Sequence, residues 1–215
     1  ANTGKRIAVV GSGPAGLAAA QQLNQSGHDV TVFERDEYIG GLLTLGIPDF
    51  KLEKQVVQRR VDQLAAEGVQ FITGAHVGKS IPFSKIEAAN DAVLLTGGST
   101  VPRNLDIPGR DLKGVHYAMD FLTQQNRVNN GVQIPDEERI TAKNKTVVIL
   151  GGGDTGSDCL GTSLRQGAKE GYQLELLPKP PDGRKDTDLG PNWPMHLRPP
   201  TPQDDGRTRY HNQLQ

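Results

Sequence analysis

Arg6-Ile-Ala-Val-Val10 runs directly into Gly11-Ser12-Gly13-Pro14-Ala15-Gly16, and an Ala/Gln/Leu-rich stretch, residues 17–25, follows without a break. The first piece is a short β-rich apolar run and the last has helical composition, so the six residues between them form a strand-to-helix turn. Glycine at the first of these positions permits a tight exit from the strand. The second lets backbone approach a ligand with no Cβ in the way, and the third lets helix and strand pack closely. Pro14 enters at the first helical position, where a missing N–H removes no needed donor. Ser26-Gly27 ends the helix, and residues 29–33 read as a second buried strand closing on Glu34.

The pattern continues outward from that turn. Residues 40–48 form a glycine-rich loop, Gly-Gly-Leu-Leu-Thr-Leu-Gly-Ile-Pro. Residues 51–67 form an amphipathic helix with Leu52, Val56, Val57, Val61 and Leu64 near one stripe, stopped by Gly68. Residues 69–73 and 91–95 are further predicted strands. Alternating strands and helices imply a mostly parallel, helix-covered sheet. A helix over 117–125 and a polar, turn-rich link, 126–145, precede a recurrence of the opening pattern. Thr146–Leu150 is a strand, Gly151-Gly-Gly-Asp-Thr-Gly156 the turn, 157–166 the helix and 173–177 the returning strand. The two turns start 140 residues apart, too far for a short repeat. The expected fold is therefore α/β, with two Rossmann-like dinucleotide-binding units on mostly parallel sheets, the second incomplete. Its divisions are a first domain over 1–125, a linker over 126–145 and a partial second domain over 146–215. The last 38 residues hold 8 of the 14 prolines and show no strand or helix period.

Composition agrees with that reading and excludes others. The 26 glycines raise the 35% apolar content to about 47%, inside the ~45–50% usual for globular proteins, so a packed core is expected. Net charge is −1, which gives no electrostatic footprint for nucleic acid or an anionic membrane. The apolar runs are far shorter than the ~18 residues of a membrane span, and no secretory leader is expected ahead of Ile7. Cys159 is the only cysteine, so no internal disulfide, dithiol centre or thiolate cage can form. A protein of a reducing, cytoplasmic compartment is expected.

The chemistry of the turns is anion recognition. A helix N-terminus presents unpaired N–H groups and the positive end of a dipole, which suit a pyrophosphate. Glu34 lies 18 residues past Gly16, at a strand end where a carboxylate can bind ribose hydroxyls. The second turn differs, because the returning strand 173–177 places Glu175 within it and is followed by Lys179, Arg184 and Lys185 rather than an acid. Cations there favour a 2′-phosphate, and so NADP over NAD; solvated loop charges are the alternative. Cys159 reads as a packed small side chain. The five histidines have no ligand spacing, so no metal site is expected. Lys51 and Lys54 read as the wet face of a helix, and Trp193 as an anchor for the tail or a stacking partner.

Two dinucleotide turns with an acid after only the first resemble flavoproteins of the pyridine nucleotide-disulfide oxidoreductase type. The segment Gly40-Gly-Leu-Leu-Thr-Leu-Gly-Ile-Pro-Asp-Phe-Lys-Leu-Glu-Lys54 is similar to the small (β) subunit of NADPH-dependent glutamate synthase. So are Val148–Ala168 (VILGGGDTGSDCLGTSLRQGA) and Leu174–Pro181 (LELLPKPP). Thr96-Gly97-Gly98, with Pro102-Arg103 and Ile107-Pro108-Gly109, resembles the strand-end motif that touches FAD in that superfamily.

The resemblance implies FAD held by Gly11, Gly13, Pro14, Ala15, Gly16, Glu34, Arg35, Gly41, Leu42, Val77 and Gly97. It implies NADPH met by Gly152, Gly153, Asp154 and Thr155, with Lys179, Arg184 and Lys185 at the phosphate. The implied function is hydride transfer from NADPH to FAD, for glutamate synthesis from glutamine and 2-oxoglutarate. The partner would be the glutamate synthase large subunit or another iron–sulfur/FMN electron acceptor. Dihydropyrimidine dehydrogenase-like or ferredoxin–NADP reductase-like enzymes, or a non-catalytic nucleotide-binding fragment, are the alternatives. No side chain is assigned as a catalytic acid or base, because hydride transfer asks for orientation. The family's cysteine-rich iron–sulfur domain and the segments that complete both domains are not expected within these 215 residues.

Overall fold

A computed structural model describes residues 2–179, 181 and 208–212. The chain divides into two compact units, one of Ala1–Val115 with Asn126–Val132, the other of His116–Gln125 with Gln133–Gln215.

The first unit contains β1 (Arg6–Val10), α1 (Pro14–Gln25), β2 (Asp29–Phe33), α2 (Leu42–Leu45), α3 (Lys54–Ala66), β3 (Gln70–Ile72), α4 (Phe83–Ala89) and β4 (Ala92–Leu95). The sheet runs β3-β2-β1-β4, and every pairing is parallel. The strand order places β1 between β2 and β4, in register from Arg6 opposite Asp29 and from Ile7 opposite Ala92. Continuous apolar runs form β1 and β2 because a parallel sheet is covered on both faces. Successive side chains point to opposite faces. Val9, Val30 and Val32 thus pack with Leu17, Ala20, Leu64 and Val69 in one core layer, supplied by α1 and α3. Ala8 and Phe33 pack on the other face with Ala75 and with Ile86 of α4.

Helix starts and stops follow local chemistry. Gly13 is extended (φ −64°, ψ −178°) and Pro14 opens α1, while Gly27 at φ +90° turns the chain into β2. Helix α2 arises in the stretch read as a glycine-rich loop and α4 in one given no element; at four and seven residues they are too short to show a helical period. Lys54 corrects the reading of a wet helix face. Its side chain is only 15% exposed, and its ammonium pairs with Asp49 at 3.3 Å and with the Ile47 carbonyl, tying α3 to the loop before it. Lys51 is exposed.

Helix α5 (Ala118–Asn129) contributes residues to both units. Its Phe121 and Leu122 enter the second core with Ile149, Cys159, Leu160 and Leu164. The remaining elements are β5 (Thr146–Leu150), α6 (Asp154–Arg165), β6 (Glu170–Glu175) and β7 (Thr208–Asn212), in a parallel sheet ordered β5-β6-β7. Gly171 in β6 leaves room for Leu160, whose Cδ1 would lie 2.6 Å from a Cβ there. Strand β7 corrects the expectation that the tail contains no strand. Thr-Arg-Tyr-His-Asn has no apolar run, and it is the open edge of β6, offering backbone donors and acceptors, that makes it a strand.

Leu64 is fully buried in the first core. Leu64→Ala should lower stability by about 2–5 kcal/mol, the range for truncating a buried leucine. Urea denaturation followed by circular dichroism checks this, and an unchanged midpoint would contradict the packing described.

Candidate functional site: two glycine turns

In the first turn the chain leaves β1 at Gly11, whose φ is +107°. Its N–H donates to the Phe33 carbonyl at 2.8 Å, continuing the β1–β2 ladder by one residue. A Cβ on Gly11 would lie 2.5 Å from the Thr96 carbonyl oxygen, and one on Gly16 would collide with the Gly11 carbonyl oxygen. Only glycine fits at both. The Thr96 hydroxyl donates to the carbonyls of Val10 and Gly11, at 3.0 and 2.9 Å, and holds the turn from below. Above Gly13 the space within 4 Å of a Cβ is empty. Among the described residues, the N–H groups of Gly13, Ala15 and Gly16 meet no acceptor. A helix start with free donors, and open space where a side chain would stand, fits a pyrophosphate.

Glu34 is 5% exposed and follows the last residue of β2. Its Oε2 accepts from the Ser12 N–H at 3.0 Å and from the Ser12 hydroxyl at 2.5 Å, while Oε1 accepts from the Asp36 N–H at 2.9 Å. Ser12 Oγ in turn accepts from the Gly40 N–H at 3.0 Å. The acid expected at the ribose thus also locks the turn to the strand end and to the glycine-rich loop. Gly41, at φ +53°, completes that lock, because a Cβ there would lie 3.0 Å from Gly13 Cα.

The other expected residues take differing places. Pro14, Ala15, Leu42 and Gly97 are exposed around or beside the turn. Gly97 N would lie 3.1 Å from a Cβ on Gly11, so the end of β4 abuts the turn directly. Arg35 reaches the Thr100 hydroxyl at 3.4 Å and Asp36 at 3.5 Å. Val77 packs beside Phe33 and Ala75 and forms a lone bridge with Ile81, on the sheet face opposite α1. Sequence reading passed over Ser12 and Gly40 as participants, because the hydroxyl and amide act through the fold and not through a spaced motif.

The second turn repeats the main-chain contacts of the first. Gly151 has φ +118°, and its N–H donates to the Leu174 carbonyl at 2.8 Å. A Cβ on Gly156 would collide with the Gly151 carbonyl oxygen. Gln173 takes the part of Thr96, its Nε2 donating to that carbonyl at 2.9 Å. Gly153 is extended before α6 with open space about it, and Gly152, Gly153, Asp154 and Thr155 are all exposed.

Glu175 corrects the sequence reading. The strand ends at Glu175 instead of continuing to 177, so an acid does stand at its tip. Its Oε2 accepts from the Gly152 N–H at 2.6 Å, and its Oε1 from the N–H groups of Leu176 and Leu177 at 2.7 and 3.1 Å. The Leu177 and Gly152 donors, with that of Leu176, hold its carboxyl below the usual carboxylate range. The cause of the misreading is the run Leu174-Glu-Leu-Leu177, whose apolar character outlasts the strand. Lys179 is exposed, whereas Arg184, Lys185 and Trp193 lie outside the described residues.

Among the described residues no cluster of histidine, cysteine, aspartate or glutamate could hold a metal ion, and no helix is long and apolar enough to cross a membrane.

Comparison with known proteins bears on the same residues. A family model described as pyridine nucleotide-disulphide oxidoreductase matches residues 5–185. The glutamate synthase [NADPH] small chain of Mycobacterium tuberculosis is 54% identical over 210 residues, covering 96% of this chain and 43% of the relative. The glutamate synthase [NADH] of Schizosaccharomyces pombe is 49% identical over 198 residues, covering 91% of this chain and 9% of the relative. The chain thus spans less than half the length of these curated relatives. Among solved structures, a mutant of FprA from Mycobacterium tuberculosis has a TM-score of 0.68 at 24% identity, covering 81% of this chain and 44% of that one; it shares the fold.

Cys159 lies buried behind the second turn, and burial, with the nearby Asp158 charge, pushes its thiol up to about 12. At pH 8 the thiolate fraction is then on the order of one in ten thousand. Iodoacetamide should leave native Cys159 unmodified over hours and label it fully in denaturant. Rapid labelling of the native protein would contradict the burial.

Proposed function

The chain belongs to the pyridine nucleotide-disulphide oxidoreductase family, and we propose that it forms the dinucleotide-binding core of a glutamate synthase small chain, passing a hydride from NADPH to FAD in the cytoplasm. It is an NADPH-dependent oxidoreductase, and its cofactors are FAD and NADPH. The observation that carries the reading is the doubled turn. Two helix N-termini are each reached through a positive-φ glycine and backed by a glycine that admits no Cβ. Each turn is also tied to a strand-end carboxylate.

Each part of the chain has a task in this reading. Ala15 and Gly16 offer N–H donors to the pyrophosphate of FAD, with Gly13 leaving the approach open. Glu34 fixes the turn through Ser12 and stands at the adenosine ribose. Gly41 and Leu42 continue along the path of the flavin. Gly153, Asp154 and Thr155 receive NADPH at α6, with the exposed Lys179 available to its 2′-phosphate. Bound together, the cofactors supply hydride transfer from the nicotinamide to the isoalloxazine, and the chain's contribution is to orient them. In this reading the electrons pass on to an iron–sulfur/FMN acceptor on a large subunit. That subunit would complete glutamate synthesis from glutamine and 2-oxoglutarate.

Purified protein supplied with FAD should retain the visible flavin absorption after desalting and lose it on anaerobic addition of NADPH. Colourless protein that does not oxidise NADPH when FAD is present would contradict the proposal.

A further inference from the structure

The register of the two sheets makes Glu175 and Glu34 equivalent. Val10 pairs with Phe33 and Leu150 with Leu174, and the next residue in each case is the acid. Each acid then takes the N–H of the residue after the first glycine of its turn, Ser12 at 3.0 Å and Gly152 at 2.6 Å. The second site therefore carries, at the position that reads the adenosine ribose, the same group as the first. An ionised carboxylate has about four lone-pair positions. Three are used in Glu175, by Gly152 on Oε2 and by Leu176 and Leu177 on Oε1. Oε2 retains one acceptor position beside the exposed turn.

We propose that Glu175 sets the dinucleotide preference of the second turn, its carboxylate accepting a ribose 2′-hydroxyl and opposing a 2′-phosphate, so that this chain takes NADH as well as NADPH. The inference rests on the reading of that turn as the nicotinamide dinucleotide site. A ribose hydroxyl can donate to Oε2, whereas a phosphate there brings like charges together in a site partly screened by solvent. Lys179, exposed four residues on, acts in the opposite sense. Carboxylate and cation together give a site with weak discrimination, not one committed to either dinucleotide. The 49% identity to a relative named for NADH and the 54% identity to one named for NADPH are in keeping with a scaffold that can serve both.

Calorimetric titration of the full chain with NAD⁺ and with NADP⁺ tests this without turnover. The wild type should bind both, with dissociation constants within about tenfold of each other. Glu175→Gln keeps an oxygen acceptor for the Gly152 N–H but removes the charge, and it should shift the ratio toward NADP⁺ by about tenfold. Glu175→Ser, shorter and neutral, should shift it the same way and serves if the glutamine variant loses its far-ultraviolet dichroism. A ratio unchanged in the folded variants, or both affinities falling equally, overturns the proposal. So does a wild type that binds NADP⁺ more than about a hundredfold tighter than NAD⁺. If neither dinucleotide binds the wild type, the reading of the second turn as a dinucleotide site fails, a result distinct from the others.

Discussion

The approach of a helix start to the strand end that feeds it governs the rest of this molecule. Between Gly11 and Gly16 there is no space for a single side-chain carbon, and the same holds between Gly151 and Gly156. That closeness aims the first N–H groups of α1 and α6 outward beside the strand ends. It also requires both carbonyls to be held from behind, by the Thr96 hydroxyl in one unit and the Gln173 amide in the other. The parallel sheets supply the platform, with β1 between β2 and β4 in the first unit and β5 paired with β6 in the second.

Duplication makes the differences between the turns informative. Ser12 adds a hydroxyl that links Glu34 to Gly40, and so couples the first turn to the loop that runs on from it. Gly152 has no side chain to do so, and Glu175 is instead held by its own two following amides. Each acid accepts three hydrogen bonds from neighbouring residues, but the first is buried and the second only half-buried. A fixed acid suits a cofactor that stays, and an accessible one suits a dinucleotide that exchanges.

Much of the fold was legible in the sequence because strand, turn and helix lie next to one another along the chain. The pattern from Arg6 to Phe33 announces its own geometry, and so does that from Thr146 to Gly167. Elements set by tertiary contacts were not legible. Strand β7 is polar and forms because β6 leaves an edge to pair with. Lys54 has the composition of a surface residue, yet its neighbours at Ile47 and Asp49 draw it inward. The end of the strand that carries Glu175 was read two residues too far because Leu176 and Leu177 are apolar but exposed, prolonging the apparent strand beyond its hydrogen-bonded end. Within the site the glycines were readable, whereas the partners Ser12, Thr96 and Gln173 needed the fold to bring them there.

Hydrogen–deuterium exchange on the intact chain, with each dinucleotide added separately, tests most directly whether the two turns are the two sites. If they are, FAD slows exchange in peptides containing Ala15 and Gly16, and the nicotinamide dinucleotide slows it in peptides containing Thr155 and Gly156. Binding of either dinucleotide that leaves its own turn unprotected, with protection elsewhere in the chain, would contradict the assignment.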